Sequence, residues 1–271
     1  MSKNLIGSFS IAWYGLILSA GVLLGLAMAC YVAKKSGQST DTYVDLAMAG
    51  VIVGIVCARA YYVAFSWDAY RDHPLEILNL RGGGLAIYGG VIGAVLTVLV
   101  FSRLRRIPFG RLWDTTVFGL VTGQIVGRWG NFVNCEAFGG YTDSLLAMRL
   151  NTAQVNSYMI TPELWERHIV EDGVTYIQVH PTFLYESLWN LGLLALMLLW
   201  RRHRRWEGEL SCLYVAGYGL GRFWIEGLRT DQLTIGGSGI AVSQVIALIS
   251  ALAALGILLF QRRRAARQHE F

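Results

Sequence analysis

Seven apolar runs, each about as long as a bilayer is thick, limit this chain more than any other feature of it. A membrane-crossing helix needs roughly 20 predominantly apolar residues. The runs at 11–33, 42–66, 82–102, 112–133, 183–200, 210–229 and 241–260 are of about that length. The chain is therefore expected to be an all-α polytopic membrane protein with about seven transmembrane helices in a single integral domain, 1–271. Composition agrees: 54% of residues are hydrophobic and 15% charged, against roughly a quarter charged in an ordinary soluble domain.

The charges that remain are placed unevenly. Of the 23 Lys and Arg, fourteen fall in four clusters that punctuate the apolar runs: Lys34-Lys35; Arg103, Arg105, Arg106 and Arg111; Arg201, Arg202, Arg204 and Arg205; and Arg262 to Arg264 with Arg267. Basic segments beside spans mark the cytoplasmic side. Putting every cluster on that side predicts an outer N-terminus, a cytoplasmic C-terminus and seven crossings. A pI of 9.1 would otherwise suggest nucleic acid, but these positions account for the charge and no nucleic-acid partner is expected. The first run carries its strongest positive charge after it, at Lys34-Lys35, which favours a retained span over a signal peptide; Lys3 argues weakly the other way.

Two outer segments are long enough to fold. Residues 67–81 include the amphipathic stretch Pro74 to Leu78, expected to be an interfacial helix in an outer arm. Residues 136–182 are polar and are expected to form a small extracytoplasmic head, with a helix start at Thr161 and a turn over Glu171 to Gly173.

On this topology the polar residues of the spans fall toward one side. Tyr14 begins span one, Tyr88 lies about eight residues into span three, and Arg128, Asn131 and Asn134 end span four. Glu186 is early in span five, and Arg222, Glu226 and Arg229 occupy the outer part of span six. Eight helical residues rise about 12 Å, less than half of a ~30 Å hydrocarbon core, so chemistry in the outer leaflet is expected. Arg128 weighs most, because a guanidinium in an apolar span is a functional hypothesis by default.

Each motif also has a purely structural reading. Arg128 and Asn131 share a helix face, and Arg128 is either a packing ion pair with Glu136 or Glu226, or an anion site whose fork Glu136 fixes while other donors stay open. Tyr218, Arg222, Glu226 and Arg229 form a stripe at i, i+4, i+8 and i+11 that must face protein or water. Two outer arginines with few free carboxylates suggest a phosphate as the missing counter-ion. The glycine-rich stretch from Arg81 to Gly90, with Gly93, is either a close helix seam or a place where substrate approaches backbone. His180 is a proton carrier or a helix-capping residue, and Glu186, near the membrane edge, is expected to reach water. Cys30, Cys57, Cys135 and Cys212 and the five histidines have no metal spacing, so no metal and no cofactor are expected.

Taken together, the motifs resemble the bacterial prolipoprotein diacylglyceryl transferases. GRWGNFVNCEAFGG at 127–140 is similar to that family's signature, with Arg128, Asn131, Asn134, Glu136 and Gly139 in the matching places. Supporting stretches are Ala12-Trp13-Tyr14-Gly15, Gly83 to Gly90, His180-Pro181 with Leu184-Tyr185-Glu186, and Tyr218-Gly219 with Arg222-Phe223, Glu226 and Arg229. The resemblance runs from residue 12 to residue 231. It implies transfer of diacylglyceryl from phosphatidylglycerol to the lipobox cysteine thiol of a preprolipoprotein, with release of glycerol phosphate, by a multi-pass enzyme of the bacterial cytoplasmic membrane acting as a monomer at the outer leaflet. It makes Arg128, Arg222 and Tyr88 catalytic candidates. It makes Tyr14, Arg128, Asn131, Asn134, Glu136, Gly139, His180, Tyr218, Glu226 and Arg229 substrate-binding candidates. Where some members carry a histidine, this chain has Tyr88, a phenol whose reference pKa of about 10 makes it a poor base at neutral pH. The base is Tyr88, Glu226, His180 or water. The rival expectations are a phospholipid or anion transporter or flippase using the same arginines as a phosphate site, and a non-catalytic membrane scaffold.

Overall fold

A computed structural model describes residues 4–6, 9–80, 83–234, 236 and 239–268. Lys3, Arg81, Gly82 and His269 lie outside the described residues, as does the Arg267 side chain. Seven long helices cover the seven apolar runs: α1 (Trp13–Lys35), α2 (Thr40–Phe65), α3 (Ile87–Arg105), α4 (Phe109–Asn134), α6 (Thr182–Trp200), α7 (Glu209–Glu226) and α8 (Val242–Gln268). Five of them, all but α4 and α7, are long and apolar enough to cross a membrane. The other two are the helices that carry Arg128 and the Arg222–Glu226 stripe, and those polar residues lower their mean hydropathy.

The expectation of an all-α chain needs correction, because five short strands are present among the described residues: β1 (Asn4–Ile6), β2 (Phe9–Ala12), β3 (Met148–Asn151), β4 (Ile169–Glu171) and β5 (Val174–Val179). The chain divides into two compact units, Ala29–Thr116 on one hand and Met1–Met28 with Val117–Phe271 on the other.

In the first of these, α2 packs along α3. The seam is what the glycine-rich stretch provides: a Cβ on Gly89 would lie 2.4 Å from the Cys57 carbonyl, and one on Gly93 would lie 2.9 Å from Cys57 Cβ. Of the two uses open to these glycines, Gly89 and Gly93 serve close helix packing. Ahead of α3, Trp67–Ala69 and Pro74–Leu78 form short 3-10 turns, so the expected interfacial helix is a single tight turn, with Leu75 and Leu78 exposed. This arm is tied to α2 by Arg59, which is buried and whose place in the fold sequence reasoning missed. Its Nε donates to Ile77 O, one terminal nitrogen to Gly83 O and Gly84 O, and the other to Glu76 O and Asn79 O, over 2.7–3.1 Å. Its guanidinium also lies 5.1 Å over the Tyr70 ring. A cation buried among five carbonyls is satisfied without a carboxylate.

In the other unit the head contains a three-stranded antiparallel sheet in the order β3-β5-β4. β5 reads Val174-Thr175-Tyr176-Ile177-Gln178-Val179, and its alternation buries Ile177 and Val179, as period-2 side chains on one face require. The β4–β5 hairpin turns at Asp172 and Gly173, both with positive φ, the backbone of a two-residue hairpin loop, at the turn expected from sequence. The expected helix start is also present: the Thr161 hydroxyl accepts from Leu164 N ahead of the short α5 (Pro162–Glu166). Phe138, Leu150, Val155, Met159, Leu164, Ile177 and Val179 form the head core.

Candidate functional site

The site is assembled where α4 ends, α6 begins and α7 ends. Backbone hydrogen bonds lace these three points together. Gly139 N donates to His180 O and His180 N to Gly140 O, each 3.0 Å; Gly140 N donates to Leu228 O at 2.9 Å and Thr230 N to Phe138 O at 3.2 Å. Gly139 has to be glycine for this lacing, because a Cβ there would sit 2.7 Å from His180 Cβ and 2.9 Å from Leu228 O. Thr182 Oγ1 adds a hydrogen bond to Ala137 O. One turn into the helices, Ser187 Oγ donates to Ile125 O and Trp129 Nε1 donates to Ser187 Oγ, which sets the register of α4 against α6 and brings Arg128 opposite Glu186.

Glu186 is the centre of the charged cluster. It is 4% exposed, which corrects the sequence expectation that it reaches water. Its Oε2 lies 2.7 Å from Arg128 Nε, an ion pair rather than an aligned hydrogen bond, and its Oε1 accepts from Arg222 at 2.8 Å. Arg222 continues to Glu226 Oε2 at 2.6 Å. Glu226, also buried, accepts from Ser243 Oγ at 2.6 Å and lies 3.6 Å from Arg229. Arg229 closes the chain with a two-pronged pair to Asp231 at 2.8 and 2.7 Å. Three arginines thus meet three carboxylates, so the expectation that two outer arginines lack counter-ions is corrected.

Arg128 does not pair with Glu136 or with Glu226. Glu136 Oε1 instead accepts from the amides of Asn131 and Asn134, at 3.4 and 3.3 Å, because the turn after α4 brings the carboxylate back to the helix end, with Glu136 N bonded to Asn131 O. Within the charged cluster Arg128 is the least engaged cation. Glu186 holds its Nε, and its two terminal nitrogens have no protein partner among the described residues, while the side chain keeps 19% of its surface accessible. A guanidinium edge with two parallel donors fits a phosphate or carboxylate.

The remaining candidates have contacts of their own. The Tyr14 ring lies against the α4 backbone, where a Cβ on Gly130 would come within 2.8 Å of it. Tyr218, one turn before Arg222, stacks on Tyr214 with centroids 5.6 Å apart. His180 Nδ1 is 3.2 Å from the Tyr185 hydroxyl, and burial lowers its pKa below the ordinary histidine value, so its ring is neutral at pH 7. Tyr88 belongs to the unit 29–116, where it is half-exposed at the start of α3 with its ring 6.5 Å from that of Tyr61. Sequence reasoning singled out neither Asp231 nor Ser243 as partners of the stripe, nor Asn190, which is buried one turn along α6 from Glu186 with an amide nitrogen lacking a partner among the described residues. A signal existed for Asn190: it follows Glu186 at i+4 in a helix that has no other amide or charged side chain.

Comparison with known proteins shows the family. The family model of prolipoprotein diacylglyceryl transferases matches residues 3–260. The chain is 44% identical over 244 residues to a phosphatidylglycerol–prolipoprotein diacylglyceryl transferase of Bacillus cytotoxicus, covering 90% of this chain and 86% of the relative. It is 43% identical over 262 residues to one from Geobacillus kaustophilus, covering 96% and 91%, and 40% identical over 242 residues to one from Clostridioides difficile, covering 89% and 87%. The chain belongs to the prolipoprotein diacylglyceryl transferase family.

Proposed function

We propose that this protein transfers the diacylglyceryl group of phosphatidylglycerol to the lipobox cysteine thiol of a prolipoprotein. The relatives named above carry this activity in their names, and those names speak for transfer and against the transport alternative. In the reaction the thiol loses its proton, a C–S bond forms at the glyceryl carbon, and the C–O bond to phosphate breaks, releasing glycerol phosphate. The observation that carries the site assignment is the open edge of Arg128, which is held at Nε by a buried carboxylate and has its terminal nitrogens directed by that anchorage. In this role Arg128 grips the phosphate and stabilises the charge that grows on it as it departs.

Arg222 acts beside it as the cation that holds Glu186 in place. Glu226 is engaged at Oε1 by Ser243 and at Oε2 by Arg222 and Arg229, so neither of its oxygens is open to the substrate thiol. His180, neutral at physiological pH, is better suited, and Tyr88 serves to orient substrate. Asn131, Asn134 and Glu136 hold the end of α4, with Gly139 and Tyr14 shaping its surroundings.

The protein is read as a monomer crossing the bacterial cytoplasmic membrane seven times, with its N-terminus and head outside and its C-terminus in the cytoplasm. Support comes from α7: Glu226 is at its last turn, whereas Glu209 at its first residue accepts from Arg262 of the last basic cluster. Seventeen helical steps separate those ends by about 25 Å, close to a bilayer core. The test is mass spectrometry of a lipobox peptide after incubation with purified protein and phosphatidylglycerol vesicles. A diacylglyceryl mass gain, lost in Arg128→Ala, is expected; no gain with the wild-type protein would refute the activity.

A further inference from the structure

The basic end of the second unit contains a cavity that the proposed reaction does not use. It measures about 560 Å³ and is lined by Leu199, Trp200, His203, Arg205 and Arg262, from the end of α6, the connection that follows it, and the last turns of α8. Its frame is rigid. Glu209, fully buried, accepts from Trp200 Nε1 at 3.0 Å, from Arg205 N at 2.7 Å and from Arg262 Nε at 2.7 Å. The Arg262 guanidinium lies 4.3 Å over the Trp200 ring and donates to His203 O.

This frame leaves cationic donors in place. Glu209 holds Arg262 through Nε and one terminal nitrogen, so the other terminal nitrogen keeps its protons for a ligand. The Arg205 guanidinium is exposed and has no ion-pair partner among the described residues. The indole N–H of Trp206, in the same connection, is buried with no partner among the described residues. The apolar part of the wall is Leu199, which is 72% exposed, and the face of Trp200.

A soluble anion would gain nothing from exposed leucine and an indole face. A phospholipid headgroup gains from both kinds of wall, because its phosphate meets the arginines while its glycerol and first methylenes meet Leu199 and Trp200. Both helices whose ends form the cavity, α6 and α8, are among the five apolar enough to cross a membrane, which sets the cavity at headgroup depth. Tryptophan and arginine at a helix end are the side chains suited to that depth. We propose that this cavity binds the headgroup of an anionic phospholipid, at the opposite end of α7 from Arg222 and Glu226.

The test uses the delipidated full-length protein in detergent, titrated with cardiolipin or with phosphatidylethanolamine and read by native mass spectrometry. The wild-type protein is expected to retain one more cardiolipin than the H203Q/R205Q variant, with apparent affinity in that variant weakened about tenfold, equivalent to about 1.4 kcal/mol. Neither substitution removes a bond of the Glu209 frame that involves a side chain, so the variant is expected to elute and melt like wild type. The control R103Q, which removes a charge from another basic cluster, is expected to retain the lipid. Equal retention of phosphatidylethanolamine, unchanged cardiolipin binding in the double variant, or equal loss in R103Q would overturn the proposal. So would displacement of cardiolipin by excess inorganic phosphate, which would make this a soluble-anion site.

Discussion

Arg59 and Arg128 are both arginines within long helices, and they are treated in opposite ways. Every nitrogen of Arg59 that carries protons donates to a backbone carbonyl, five in all. Arg128 is fixed through Nε alone, by a carboxylate that a second arginine shares. The first is a fastener, because no donor is left for a ligand. The second is anchored yet incomplete: its terminal donors have no protein partner among the described residues and the side chain stays partly accessible, so that edge is open to an anion. An arginine in a span is thus not itself a functional mark; its unfilled donors are.

The sharpest way to break this contrast is Arg128→Ala. It is expected to lower diacylglyceryl transfer by at least about 100-fold, the scale for losing a donor to a developing charge, with elution as in wild type and a smaller loss of melting temperature than in Glu186→Gln, because Arg222 still pairs with Glu186. Near-normal turnover would put Arg128 in the same class as Arg59. Next in size is Glu186→Gln, which leaves Arg128 and Arg222 without their shared carboxylate. Breaking a buried pair costs about 3 kcal/mol, so both the melting temperature and the transfer rate should fall, and unchanged values in either would deny Glu186 its central place.

Arg59→Lys tests the other side of the comparison. A lysine has three donors on one atom and cannot span five carbonyls. Hydrogen exchange is therefore expected to rise in residues 74–86 of this variant and to stay at the wild-type level there in Arg128→Ala. Equal exchange in both variants would erase the distinction. Gly139→Ala, whose Cβ would meet His180 and Leu228, should lower activity without altering exchange in 74–86.

The smallest expected effect concerns His180. Burial lowers its folded-state pKa relative to an unfolded value of about 6.5. Above that value both states are neutral and no stability depends on it. As pH falls through it, the unfolded chain takes up the proton first, so wild-type stability declines until pH passes the folded pKa. His180→Gln should lack this increment. Thermal melts of the two proteins at pH 7.5 and 5.5 would show it as a wild-type loss that the variant does not share, and parallel melts would disprove it.

Some of this was legible in the chain because the signal was local. Thr161 with Pro162, and Asp172 with Gly173, specify a helix start and a tight turn through their own backbone chemistry, and each is found where expected. The head sheet escaped notice because β3 and β4 are four and three residues long, too short for alternation to stand out from a polar loop, and they become strands only by pairing with β5. The Pro74–Leu78 stretch was found in the right place but wound more tightly than an interfacial α-helix, because the carbonyls of this arm are turned toward Arg59.

The sequence alone established seven helix-length apolar runs, the clustering of basic residues and a family signature spread from Tyr14 to Arg229, because length, composition and local motifs are properties of consecutive residues. Which charge meets which carboxylate was decided only in three dimensions. Glu136 is eight residues from Arg128 and Glu186 is fifty-eight, yet the guanidinium pairs with the distant one. The ladder through Gly139, His180 and Leu228 brings three helix ends to one place, and ion pairing falls off with distance in space, not along the chain.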